Sequence, residues 1–147
     1  LILAEAKGRS GGISSGLPHL NNVRSWLNSG GGLNDNHITD SYNYAAFDAA
    51  DFSSGGIENT DGIDPKSAFL REVIEERYVS GFGMHMPFND ARRLRKNDSA
   101  ISVPFVLVEG PGAPYPERMP YSANELNSNA NAPADDPGIF TKTQVNQ

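Results

Sequence analysis

The sequence predicts a mainly α-helical protein in which a TPR-like helix hairpin and one long amphipathic helix are joined by extensive irregular loops. Two short segments near the start consist of good helix formers and end in glycine-rich turns. A longer segment after Asp64 repeats apolar residues at helical spacing. Turn-forming residues dominate elsewhere, since 15 Gly and 10 Pro occur among 147 residues. An extended Pro/Asn-rich segment is expected at the C-terminus.

The helix hairpin is expected over residues 1–28. Its first helix covers residues 1–8 and ends at Gly8, which is followed by two further glycines. Two short helices joined by a glycine-containing turn are the unit that is stacked in TPR-like arrays. No capping residue precedes Leu1, so we expect the numbering to begin inside a helix of a longer protein. Part of the apolar start would then face upstream helices.

The second helix of the hairpin is predicted over residues 17–28. Ser14 or Ser15 is the expected N-cap, and Pro18 is expected in the first turn, where a missing N–H is tolerated. Leucines recur at helical spacing and give the helix one apolar face. Trp26 is assigned to the core on this basis.

Residues 29–63 show little periodicity and are predicted to form a long loop, with a helical turn near residues 44–50. Loops of this length are usually functional or disordered. Tyr42 and Tyr44 lie in it among polar residues and are the candidate ligand-binding side chains, because the apolar face of a sugar ring stacks on aromatic rings. Anchoring of the loop is an alternative role for both.

Residues 64–97 are predicted to form a long helix and a following turn and short helix. Asp64 is a strong N-cap, and the proline after it suits the first helical position of a helix over residues 66–82. A shorter helix is expected over residues 89–96. The apolar stripe of the long helix consists of Leu70, Ile74, Tyr78 and Phe82, with Phe69 and Val73 beside them.

Residues 98–147 are predicted to form an extended tail held by the body of the protein. The apolar run over residues 102–108 favours a strand, but Pro104 restricts it to a sheet edge or an extended segment.

Several functional classes are disfavoured. The net charge of −6 argues against nucleic-acid binding, and the absence of cysteine excludes thiolate sites. The sequence GRSGG after the first helix lacks the strand that a nucleophile elbow needs. An EF-hand calcium site would need a carboxylate where Ala68 stands. Glu75 and Glu76 point about 100° apart on a helix, so they cannot flank one glycosidic bond as the two carboxyl groups of a glycosidase do. We therefore expect no catalytic residues, no metal site, no cofactor and no enzymatic activity.

Charged residues beside the apolar stripe predict a buried structural network. Glu76 and Arg77 are expected to pair with Asp90, Arg92 or Arg93, which would tie the long helix to the turn that follows it.

Four segments resemble motifs of the SusD/RagB family of nutrient-binding outer-membrane lipoproteins. These are residues 1–6 with 20–24 (LILAEA and LNNVR), 69–78 (FLREVIEERY), 88–93 (FNDARR) and 118–121 (RMPY) with the later Glu125 and the asparagines of 127–131. Their order and spacing cover nearly all of the chain and match the C-terminal part of such a protein.

The resemblance implies non-catalytic capture of nutrient oligomers, most often oligosaccharides, at the cell surface. It further implies a TonB-dependent, SusC-like outer-membrane transporter as partner and membrane attachment only through a lipid anchor outside residues 1–147. Sugar-contacting residues of the family come largely from segments upstream of those matched here. Peptide binding, a helical scaffold that only contacts the transporter, and glycoside hydrolysis are the alternatives.

Overall fold

The computed structural model describes residues 1–31, 44–103, 114–132 and 138–142 and is mainly helical, as the sequence predicts. The α-helices are α1 (Ile2–Gly11), α2 (Ile13–Asn28), α3 (Pro65–Ser80), α4 (His85–Asn97) and α5 (Ala123–Ser128), and Ala49–Phe52 and Ser99–Ile101 form 3₁₀ helices. Within those four ranges there is no β-strand.

The turn between α1 and α2 is shorter than predicted. α1 continues through Gly8 to Gly11, and α2 begins immediately after Gly12, whose φ of 74° breaks the helix. Gly12 is thus the N-cap of α2, and neither expected serine caps it. Because α2 starts early, Pro18 lies inside the helix and not in its first turn, which removes one backbone hydrogen bond.

Glycines allow the first three helices to pack closely around one ring. A Cβ added to Gly8 would lie 2.5 Å from Cε1 of Phe69, and one added to Gly16 would lie 2.6 Å from the same atom. The Gly16 position is further closed by the carbonyl oxygen of Ala4, at 2.8 Å. Only glycine fits at these two positions without a shift of the neighbouring helix.

The core lies where α3 crosses the hairpin. Its buried members are Ala4, Leu20, Phe52, Ala68, Phe69, Leu70, Val73, Ile74, Leu94 and Ile101. Phe52 meets Phe69 edge-on with ring centroids 5.4 Å apart, so the loop before α3 contributes a central side chain. The assignment of Trp26 to the core is wrong, because this side chain is 55% exposed.

One face of α2 holds the backbone of residues 44–47. Asn21 exchanges two hydrogen bonds with the backbone of Phe47, at 2.8 and 2.9 Å, and Asn28 does the same with Tyr44, at 2.9 and 2.7 Å. Arg24 Nε donates to the carbonyl oxygen of Ala45 at 2.6 Å. The helical turn predicted over 44–50 therefore forms later, at Ala49–Phe52.

The predicted start of α3 is confirmed, since the carboxylate of Asp64 accepts a hydrogen bond from the backbone N–H of Ser67 at 3.0 Å. α3 ends at Ser80, and Phe82 beyond it is 89% exposed, so the apolar stripe is shorter than expected. α4 begins at His85, earlier than predicted, and Asp90 is therefore an interior residue of the helix.

The C-terminal region is not entirely extended. α5 begins after Ser122, whose hydroxyl accepts a hydrogen bond from the N–H of Glu125 at 3.1 Å. The 3₁₀ helix Ser99–Ile101 places Ile101 in the core. Most of the predicted 102–108 strand lies outside the described residues, and Ser102 and Val103 belong to no strand.

Candidate functional site

Four charged side chains from three helices form an ion-pair network, in which Glu5, Arg77 and Asp90 are buried and Arg93 is exposed. Arg77 Nη2 lies 2.6 Å from a carboxylate oxygen of Glu5, and Arg77 Nε lies 2.6 Å from one of Asp90. Arg93 contacts the same two carboxylates, each at 2.8 Å. Two cations thus alternate with two anions, which compensates the charges where α1, α3 and α4 meet.

The network is well shielded from water at Arg77, whose side chain is 6% exposed. Burial acts to raise the pKa of Glu5, but hydrogen bonds from Arg77 and Arg9 outweigh burial, and the pKa lies below its ordinary value. Partial burial acts to lower the pKa of Arg93, and hydrogen bonding to Asp90 together with the charge of Glu5 reverses this effect. The network therefore holds both groups in their charged forms.

The membership of this network differs in part from the sequence prediction. Arg77, Asp90 and Arg93 come together, but Glu76 does not join them and pairs with Arg24 of α2 at 2.8 Å. Successive residues on a helix point about 100° apart, so Glu76 faces α2 while Arg77 faces α1 and α4.

Arg92 also lies outside the network. Its Nη1 donates to the carbonyl oxygen of Glu117 at 2.9 Å, and its guanidinium carbon lies 5.9 Å from the ring centroid of Phe88. Sequence reasoning missed Glu5, which is distant in the chain, and the only local signal was its i,i+4 pairing with Arg9.

Of the two candidate tyrosines, Tyr42 lies outside the described residues. Tyr44 is half-buried, and its backbone is fixed by Asn28. The guanidinium carbon of Arg24 lies 5.7 Å from the Tyr44 ring centroid and 3.9 Å from that of Phe47. These contacts support the anchoring role for Tyr44.

An acidic cluster on α3 contains a carboxyl group with a strongly raised pKa. Burial and the charges of Glu58, Glu76 and Glu75 raise the pKa of Glu72 from its ordinary 4.5 to about 8. The side chain of Glu72 is 11% exposed, and its nearest cation, Arg24, is 4.0 Å away and already paired with Glu76. A raised carboxyl pKa is typical of general acids. The cleft beside the cluster is lined by Glu58 and Glu75 and not by Glu72, so the cleft gives a substrate no contact with the Glu72 carboxyl group.

A basic and aromatic cleft lies at the C-terminal end of α4. Its volume is about 410 Å³. Its lining consists of Arg95, Lys96, Pro114, Tyr115, Glu117, Phe140 and Lys142. Three elements form it: the last turn of α4, residues 114–117 and residues 138–142.

Backbone hydrogen bonds join the two irregular walls of this cleft. The N–H groups of Glu117 and Arg118 both donate to the carbonyl oxygen of Ile139, at 2.7 and 3.3 Å. The Arg95 guanidinium pairs with Glu117, and its central carbon lies 4.6 Å from the ring centroid of Tyr115. Arg95 is thereby held against both the wall and the ring.

An apolar groove adjoins the ion-pair network, because Arg77 belongs to the network and also lines the groove. Its volume is about 460 Å³, and its apolar lining is Leu1, Ile2, Leu3, Val23, Trp26, Met84 and Met86. Ile2 is 66% exposed and Trp26 is 55% exposed.

The described part of the chain contains no group of three or more His, Cys, Asp and Glu side chains that could hold a metal ion. Within it, no helix has the length and apolarity needed to cross a membrane. Comparison with known proteins yields no match, whether to a family model, to a curated protein or to a solved structure.

Proposed function

We propose that this chain is the C-terminal part of a SusD/RagB-type lipoprotein that binds an oligosaccharide at the cell surface without cleaving it. The bound oligomer would pass to a TonB-dependent transporter in the outer membrane. The proposal includes a TPR-like character for the α1–α2 hairpin and a Pro/Asn-rich C-terminal segment that lies along the body of the protein.

The supporting observation is the position of the motif residues. Glu5 of LILAEA, Arg77 of FLREVIEERY, and Asp90 and Arg93 of FNDARR are separated by as many as 88 positions, yet they contact one another in one network. Asn21 and Arg24 of LNNVR hold the loop before α3. Short motifs that resemble a family by chance have no reason to meet in space, so this convergence favours the resemblance.

A binding role fits the chemistry of the described residues better than hydrolysis does. The carboxylates of the network are engaged by arginines, and Glu72 is packed among three other glutamates. A glycosidase needs two carboxyl groups that flank the scissile bond across an accessible cleft. The cleft next to α4 instead offers aromatic rings and cations, which suit binding.

The test is a glycan array that also carries oligopeptides, probed with the full-length lipoprotein that the proposal implies, together with a reducing-sugar assay on any glycan that binds. Binding of saccharides without release of reducing ends is the expected result. Selective peptide binding would favour the peptide-importer alternative. Turnover that is lost in a Glu72→Gln variant would refute the non-catalytic role.

A further inference from the structure

Resting on the proposed oligosaccharide-binding function, we infer that the cleft between α4 and the C-terminal segments binds acidic sugars, which carry carboxylate or sulfate groups. Its lining includes neither Tyr44 nor Asn28, which fixes the Tyr44 backbone.

The charge of the cleft is opposite to that of the chain. The chain has a net charge of −6, whereas the lining holds three cations and one carboxylate. That carboxylate, Glu117, is paired with Arg95, and the lining as a whole carries more positive than negative charge. Lys142 is exposed and forms no ion pair with any residue that the structure describes. A concave surface of this kind attracts anions and raises their local concentration.

The aromatic residues restrict the class of anion. Phe140 is 47% exposed at the mouth of the cleft, and Tyr115 is half-buried beside Arg95. The Arg95 guanidinium lies over the Tyr115 ring in a cation–π contact. The Phe140 ring is exposed and can therefore stack on the apolar face of a pyranose. An inorganic anion would gain nothing from such a ring. A sugar with a negatively charged substituent uses both features.

The experiment measures affinity for oligogalacturonate, for the same oligomer with its carboxylates methyl-esterified, and for a sulfated galacto-oligosaccharide. We expect the acidic sugars to bind more tightly than the ester and to weaken as salt is raised, because charges near the surface are screened beyond about 8 Å at physiological ionic strength. Preference for carboxylate over sulfate, or the reverse, identifies the group that is recognised.

Matched variants locate the binding. Lys142→Met should weaken binding of the acidic sugar roughly three- to tenfold, whereas Lys7→Met, at an exposed position of α1, should leave it unchanged. Phe140→Ala should weaken acidic and esterified sugars alike, and Phe82→Ala, at an exposed ring outside the cleft, should affect neither. All four side chains are exposed, and equal melting temperatures would verify that the variants fold.

Equal affinity for acidic and esterified sugars, or unchanged binding by Lys142→Met, would overturn the inference while saccharide binding itself still supports the proposed function. Absence of binding to every saccharide would overturn both.

Discussion

Replacing Arg77 by alanine is expected to destabilise the chain strongly. The Arg77 side chain is 6% exposed and lies 2.6 Å from carboxylate oxygens of both Glu5 and Asp90. Its removal leaves two carboxylates at the junction of three helices, and among the described residues Arg93 and Arg9 remain to compensate them. Breaking a buried pair from one side costs about 3–5 kcal/mol.

The cost should be visible in thermal unfolding. For a chain of this size, 1 kcal/mol corresponds to roughly 2–4 °C in melting temperature, so the variant should melt about 6–20 °C lower. Arg71→Ala is the matched control, because Arg71 lies on the same helix and pairs at 2.7 Å with the carboxylate of Asp61, which is 49% exposed. Water and salt screen that pair, so the control should melt close to the parent.

A double-mutant cycle separates pairing from packing. If Arg77 and Asp90 interact directly, the effect of Asp90→Asn should be much smaller in the Arg77→Ala background than in the parent. Circular dichroism melts of the four proteins provide the measurement. Equal melting temperatures for parent and Arg77→Ala, or strictly additive effects, would refute the network as a source of stability.

Three further changes test other parts of the structure. Glu72→Gln should stabilise the chain at pH 8 and have little effect at pH 4. The folded-state pKa of Glu72 is raised to about 8, so the folded state retains a proton that the unfolded state releases. The stability of the parent therefore falls between about pH 4.5 and 8, and the variant lacks this loss. Denaturant titrations of both proteins across this range would show it, and parallel pH profiles would contradict it. Glu5→Gln should flatten the acid side of the same profile, because the lowered pKa of Glu5 gives stability that is present above its ordinary pKa and lost as pH falls through the folded value. Gly16→Ala should lower the free energy of unfolding by about 1–3 kcal/mol despite the helix propensity of alanine. The added Cβ would meet Phe69 at 2.6 Å and the carbonyl oxygen of Ala4 at 2.8 Å. Ser14→Ala on the exposed side of α2 is the control, and equal melting temperatures of the two variants would disprove this close packing.

Local signals were sufficient for the helical class and for the best-defined helix. Asp64 and Pro65 specify the start of α3 through a side-chain hydrogen bond and a preset φ, both of which depend on adjacent residues only. The burial of Phe69, Leu70, Val73 and Ile74 follows from periodicity in the same way. Helix ends without such caps, as at Gly12 and Met84, were placed incorrectly because their position depends on packing.

The candidate sites depended on contacts between distant parts of the chain. The charge pattern predicts a network of Glu76, Arg77, Asp90, Arg92 and Arg93, but it does not predict the direction of Glu76, which is set by the side of α3 that faces α2. Nothing in the local sequence brings Glu5 to Arg77 or Lys142 to Arg95.

The sequence by itself determined the helical class, the start of α3 and the residue types available for charge pairing. The tertiary structure alone decided which carboxylate meets which arginine, that Trp26 is exposed, and that Arg95, Phe140 and Lys142 line one cleft. The physical reason is range: caps and periodicity act within one or two helical turns, whereas ion pairs and clefts are fixed by how whole helices and the C-terminal segments pack.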